Sequence, residues 1–189
     1  MNSIALATLW LAGAATHPPG TATACELALQ VARHVTAHDY GKPVVFDDGD
    51  KKSTQAWINA RALASGWTTT VEGRTIEVAP PPEEVATKFV DGVRNAVPRC
   101  LSIRDWLKSR KIAFGKRAVS SVYARSVNDE LPAGVFTVGL PAISSDGDVA
   151  VVYTSDTWGG EAGGGFAHLY RRQADGSWML VTVRRLWIS

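Results

Sequence analysis

The feature that most constrains this chain is a change of hydrophobic period near Ala118. Before it, apolar residues recur at helical spacing; after it, they fall into short extended runs separated by turn dipeptides. Val135 to Ile143, Val149 to Ser155, Phe166 to Arg172 and Trp178 to Ile188 read as four successive strands. Asp146-Gly147 and Asp175-Gly176 supply hairpin turns between neighbours. Connections this short force antiparallel pairing. The order of elements therefore predicts an α+β fold, with N-terminal helices packed on a C-terminal antiparallel meander of four or more strands.

Several helices are legible upstream. Leu27, Val31 and Val35, at spacing four, predict a helix over Glu26 to Asp39. Ser53 suits the N-cap of a second helix reaching Ala64, with Ala56, Trp57, Ala60 and Ala64 in one stripe. Trp67 to Val71 and Arg74 to Ala79 flank Glu72-Gly73 and predict a short hairpin. Pro80-Pro81-Pro82 is a hard stop; Val85, Phe89, Val93 and Val97 then mark a helix ended by Pro98. Ser102 with Asp105 resembles a capping box for a helix over Ile103 to Lys111. Neither side of the triple proline holds enough amphipathic surface for a core of its own, so one domain is expected.

The amino terminus points to export. Ile4 to Ala15 is an unbroken apolar and small-residue run, too short to span a bilayer. Ala22-Thr23-Ala24 offers an A-x-A cleavage site directly before Cys25. Residues 1–24 thus read as a signal peptide and 25–189 as the mature domain, placed in the periplasm or secreted. In an oxidising compartment Cys25 and Cys100 pair most simply as a disulfide. The competing reading treats Ala22-Thr23-Ala24-Cys25 as a lipobox with Cys25 lipid-anchored, although a bulky aliphatic is expected where Ala22 stands.

Charge is unevenly spread. Arg99 to Arg125 carries eight basic residues against Asp105 alone, whereas Ser126 to Tyr170 carries six acidic residues and no Lys or Arg. For an exported protein this disfavours nucleic acid and suits an anionic envelope surface or an acidic protein face for the basic segment. Neutralisation by the acidic segment is the plainer alternative.

Signatures of chemistry are sparse. There is no G-x-S-x-G, S-x-x-K, P-loop or dinucleotide fingerprint, so no catalytic residue is assigned and no cofactor is expected. His34 and His38 sit one helical turn apart, but no H-E-x-x-H context accompanies them, and no metal site is expected. Asp47-Asp48-Gly49-Asp50 lacks the alternating acids of a calcium loop. The stretch that stands out is Asp156-Thr157-Trp158-Gly159-Gly160-Glu161, read as a strand end running into a glycine-rich loop. A large aromatic on such a loop suits recognition, and a Trp folded back over the sheet edge is the alternative.

The last third carries a resemblance. Val151-Val152-Tyr153-Thr154-Ser155, the glycine-rich stretch, Leu169-Tyr170, Asp175-Gly176-Ser177-Trp178 and Leu186-Trp187-Ile188-Ser189 follow one another between Ala150 and Ser189. This resembles a family of exported bacterial proteins of unknown activity that end in a VYVS, CGxLCGxG, LYLL, DGKW, LWxS progression. The resemblance implies an antiparallel C-terminal sheet and transfers no catalytic residue. Where the pattern has two cysteines, this chain has Trp158 and Ala162.

The leading expectation is an exported protein-binding module, of inhibitor or immunity type, engaging another protein through Asp156, Trp158, Gly159, Gly160 and Glu161. The alternatives are a small envelope hydrolase built on Asp156, Glu161 and His168, and a structural envelope lipoprotein.

Overall fold

The computed structural model describes residues 19–38, 40–49, 63–91, 94–159 and 162–188. Among them are four helices, a mostly antiparallel mixed sheet of seven strands and a separate two-stranded hairpin, so the chain is α+β, with helices concentrated before strands. The signal-peptide segment lies outside the described residues up to position 18, as does nearly all of the helix expected after Ser53.

Helix α1 (Pro19–Thr36) starts earlier than its apolar spacing suggests and passes through the Ala24-Cys25 junction. Its buried stripe, Leu27, Ala28, Val31, Ala32 and Val35, begins only after Cys25. It ends at Thr36, whose hydroxyl donates back to the Ala32 and Arg33 carbonyls. Helix α2 (Glu83–Asp91) buries Val85, Ala86 and Phe89. The helix expected to continue to Val97 stops short, because Asn95 is recruited to the sheet. Asn95 bridges Gly139, donates its side-chain amide to the Asp47 carbonyl and accepts the Val97 N–H. Helix α3 (Leu101–Ser109) takes Cys100 as its N-cap residue, so Ser102 lies inside the helix rather than capping it.

Cys25 and Cys100 are disulfide-bonded, with Cα atoms 5.4 Å apart. With its sulfur so engaged, Cys25 has no thiol left for a thioether-linked lipid. The bond ties the early part of α1 to the start of α3, so the two helices run side by side with their C-terminal ends together.

The main sheet is ordered β4-β1-β5-β7-β8-β9. β1 (Val44–Phe46) lies parallel to β4 (Ala113–Phe114) on one side and to β5 (Glu130–Val138) on the other. Strands of two or three residues have no readable alternation, which is why this parallel end is silent in the sequence. β7 (Val149–Gly159), β8 (Gly163–Arg172) and β9 (Trp178–Ile188) form the expected antiparallel meander. β5 and the two-residue β6 (Ala142–Ile143) both pair with β7, dividing the single expected strand over Val135 to Ile143 at Gly139 to Pro141. The expected hairpin is present as β2 (Thr68–Val71) and β3 (Arg74–Glu77), with positive φ at both Glu72 and Gly73. That is the I′-type turn geometry that matches strand twist.

Two further corrections concern segments misread as extended or loop. Lys116–Tyr123 is a helix, α4. Its Ala118, Val119 and Val122 pack on Val45, Leu131, Ala133 and Val135. The glycine-rich stretch is mainly strand: β7 continues through Trp158 to Gly159, and Trp158 N–H donates to the Ala162 carbonyl at 2.7 Å. Two glycines of the sheet, Gly134 of β5 and Gly165 of β8, are seats for aromatic rings. A β-carbon on Gly134 would fall 2.5 Å from the Trp158 ring, and one on Gly165 would fall 2.5 Å from Trp187 Cδ1 and Cε2. Glycine opposite an aromatic is a recurrent way to pin strand register.

Both sheet faces are covered. Leu27, Val31, Ile103, Leu107 and the disulfide pack on Phe46, Phe136, Val138, Ala150, Val152 and Tyr170. Leu63, Trp67, Val85 and Phe89 pack on Val149, Val151, Tyr153, Ala167 and Leu169. The outer strand β9 is interrupted by two bulges and carries Arg184 and Arg185, devices that discourage edge-to-edge pairing. No described helix is long and apolar enough to cross a membrane.

Candidate functional site

α1 covers its sheet face only as far as its last turn. Beyond that end, strand alternation brings Thr154 and Asp156 of β7 and Phe166 and His168 of β8 to the same face. With His34, Val35, His38, Tyr40, Phe136 and Val183 they line a cleft of about 240 Å³. Thus all three described histidines meet in one place. A second, more open hollow continues from it, lined by Asp156, Trp158, Gly164, Phe166, Arg185 and Ile188 among others. Asp156 and Phe166 belong to both, so the two form one groove with the carboxylate near its middle.

His168 is the most constrained group in the cleft. It is 6% exposed, and its Nε2 lies 2.7 Å from Thr154 Oγ1. Its Nδ1 is buried without a hydrogen-bond partner among the described residues. Burial, and secondarily the nearby His34, push its pKa down to about 4, so the ring is neutral at physiological pH. Asp156 Oδ1 accepts the Gly164 N–H at 3.0 Å. Tyr40 closes one wall, with its ring 4.8 Å from Trp158 and 5.4 Å from Phe136. Partial burial, and then the negative charge of Asp156, raise the Tyr40 hydroxyl pKa. His34 and His38 stack edge-on at 5.2 Å, on the rim.

Of the residues singled out from sequence, Asp156 and Trp158 both border the groove, but Trp158 is half-buried and packed against Tyr40 and Phe136. Gly159 is buried at the end of β7 opposite Glu130. Gly160 and Glu161 lie outside the described residues. Asp156 and His168 share the cleft without approaching each other: Asp156 stands opposite Gly164, four residues along β8 from His168, about 13 Å of strand rise. Thr154 and Phe166 come between them. No described group of three or more His, Cys, Asp or Glu is placed to hold a metal ion. Tyr40, Thr154, Phe166 and Arg185 escaped the sequence reading, because only the strand register brings them together.

No family model matches this chain, and no curated protein or solved structure is similar to it.

Proposed function

We propose that this is an exported binding protein that engages another protein through the groove beyond α1. The observation that carries this reading is the composition of the groove. Asp156 and Arg185 border it with opposite charge, Phe166 lies between them, and no ion pair joins them. A half-buried aromatic flanked by charges of both signs that make no described ion pair offers a partner an apolar anchor and electrostatic register. Export rests on the amino-terminal pattern and is supported by the disulfide, a bond that persists in oxidising compartments.

The hydrolase reading draws less support. General acid–base work needs groups within hydrogen-bond reach of one reacting atom. Asp156 and His168 are separated along the sheet, and a buried imidazole with a pKa of about 4 is a weak base.

The test is recovery of the protein from its own host with whatever is bound stoichiometrically, repeated with Phe166→Ala and Arg185→Glu. A partner retained by the wild type and lost from both variants, with melting unchanged, supports the groove as the interface. Equal retention by the variants refutes it.

A further inference from the structure

A larger cavity lies elsewhere, between the adjoining C-terminal ends of α1 and α3. It is an open trough of about 970 Å³ lined by Arg33, Thr36, Ala37, Trp106, Ser109, Arg110 and Ile112. We propose that this trough binds a phosphate-bearing ligand whose phosphoryl group is held by Arg33 and Arg110.

Three observations converge. The ionisable groups among the described lining residues are guanidiniums only; no described carboxylate lines the trough. Neither Arg33 nor Arg110 makes an ion pair among the described residues, and the Trp106 indole N–H has no hydrogen-bond partner there. The Thr36 and Ser109 hydroxyls spend their single protons on helix carbonyls, so the side-chain donors left to meet a ligand are the two guanidiniums and the indole N–H. Two guanidinium forks and an indole N–H suit the three terminal oxygens of a phosphate monoester better than the two of a carboxylate.

The competing explanation is that the two arginines merely offset the helix dipoles, since cations are favoured near helix C-termini. Magnitude decides between these. Each helix end carries about half a negative charge, so two ends amount to roughly one, against two positive charges; an excess of about one remains. The neighbourhood adds to it. In the basic segment from Arg99 to Arg125, Lys108 pairs with Asp105 at 3.8 Å, while Arg104, Lys111, Lys116 and Arg117 have no described ion pair. Among the described residues no ion pair joins the acidic segment to this region. A volume near 970 Å³ lies in the range of small-molecule sites and far exceeds a bare ion, so the phosphate is carried on a larger body.

The experiment is calorimetric titration of the purified protein with glucose 6-phosphate and with glucuronate, beside co-sedimentation with phosphatidic acid and phosphatidylcholine vesicles. Saturable binding of glucose 6-phosphate indicates a soluble phosphorylated ligand; binding confined to phosphatidic acid vesicles indicates a lipid headgroup. In either case Arg33→Gln and Arg110→Gln should each weaken binding about tenfold or more, since each removes a charged hydrogen bond. Arg125→Gln, outside the trough, should leave it unchanged. Melting curves confirm that the variants are folded. Absence of binding by both probes, glucuronate matching glucose 6-phosphate, or arginine variants that bind like wild type would overturn the proposal.

Discussion

Gly165→Ala adds one carbon at a point where the sheet has no room for it. Gly165 lies directly across from Trp187 on β9, and the new β-carbon would stand 2.5 Å from Trp187 Cδ1 and Cε2 and closer still to Nε1. Ordinary carbon contacts lie at about 3.5–4.0 Å, so the indole must retreat by roughly 1 Å or more. Overpacking of this kind costs about 1–3 kcal/mol. The Trp187 Nε1 bond to the Tyr153 hydroxyl, at 3.3 Å, is lost with it, worth about 0.5–1.5 kcal/mol. Reduced freedom of the unfolded chain returns about 0.4–1 kcal/mol, because Gly165 does not occupy positive φ. The expected net loss is about 2–3 kcal/mol, measured by urea unfolding with far-UV circular dichroism. Trp187→Leu supplies the internal control. It destabilises the wild type by leaving the glycine seat empty, yet in the Gly165→Ala background it relieves the clash. The two changes should therefore couple by at least about 1 kcal/mol. A Gly165→Ala midpoint within about 0.5 kcal/mol of wild type, or strict additivity with Trp187→Leu, would refute the argument. In that event the bulge between Gly165 and Phe166 absorbs the strain instead.

Three further outcomes are expected. Replacing both Cys25 and Cys100 by Ser opens a 75-residue separation and should lower unfolding free energy by about 3–4 kcal/mol, read from urea curves with and without reductant; an unchanged midpoint sinks the covalent tie as a stabiliser. His168, pushed from 6.5 to about 4, binds its proton in the unfolded chain before the folded one. Stability should then fall as pH drops from about 7 to 4, by roughly 3 kcal/mol from this residue, and His168→Gln should flatten that slope; an identical slope in both proteins contradicts the burial argument. Trp158→Ala removes the ring seated over Gly134 and against Tyr40 and Phe136 and should cost about 2–4 kcal/mol; loss of partner binding at unchanged melting temperature would instead assign the ring to recognition.

What the sequence determined by itself is local. Turns announce themselves through residues that tolerate positive φ, as at Glu72-Gly73 and Gly176. Helices with a long apolar stripe, such as α1 and α3, and the ten- and eleven-residue strands of the meander carry enough periods to be read. Two cysteines leave one intramolecular pairing, and Cys25–Cys100 is the bond found. What tertiary structure decided is everything whose signal is shorter than one period or spread across the chain. β1 and β4 are too short to alternate, and α4 spans eight residues. α2 stops early because Asn95 gains more by satisfying Asp47 and Val97 than by continuing a helix. Gly165 reads as loop because its purpose, seating the Trp187 ring of another strand, lies far away in sequence. The groove follows the same rule. His34, Asp156 and His168 come from three separate elements and His38 and Tyr40 from the segment after α1, and only the end of α1 and the register of β7 on β8 place them around one cleft. Periodicity is a property of neighbours along the chain, whereas a site is a property of neighbours in space.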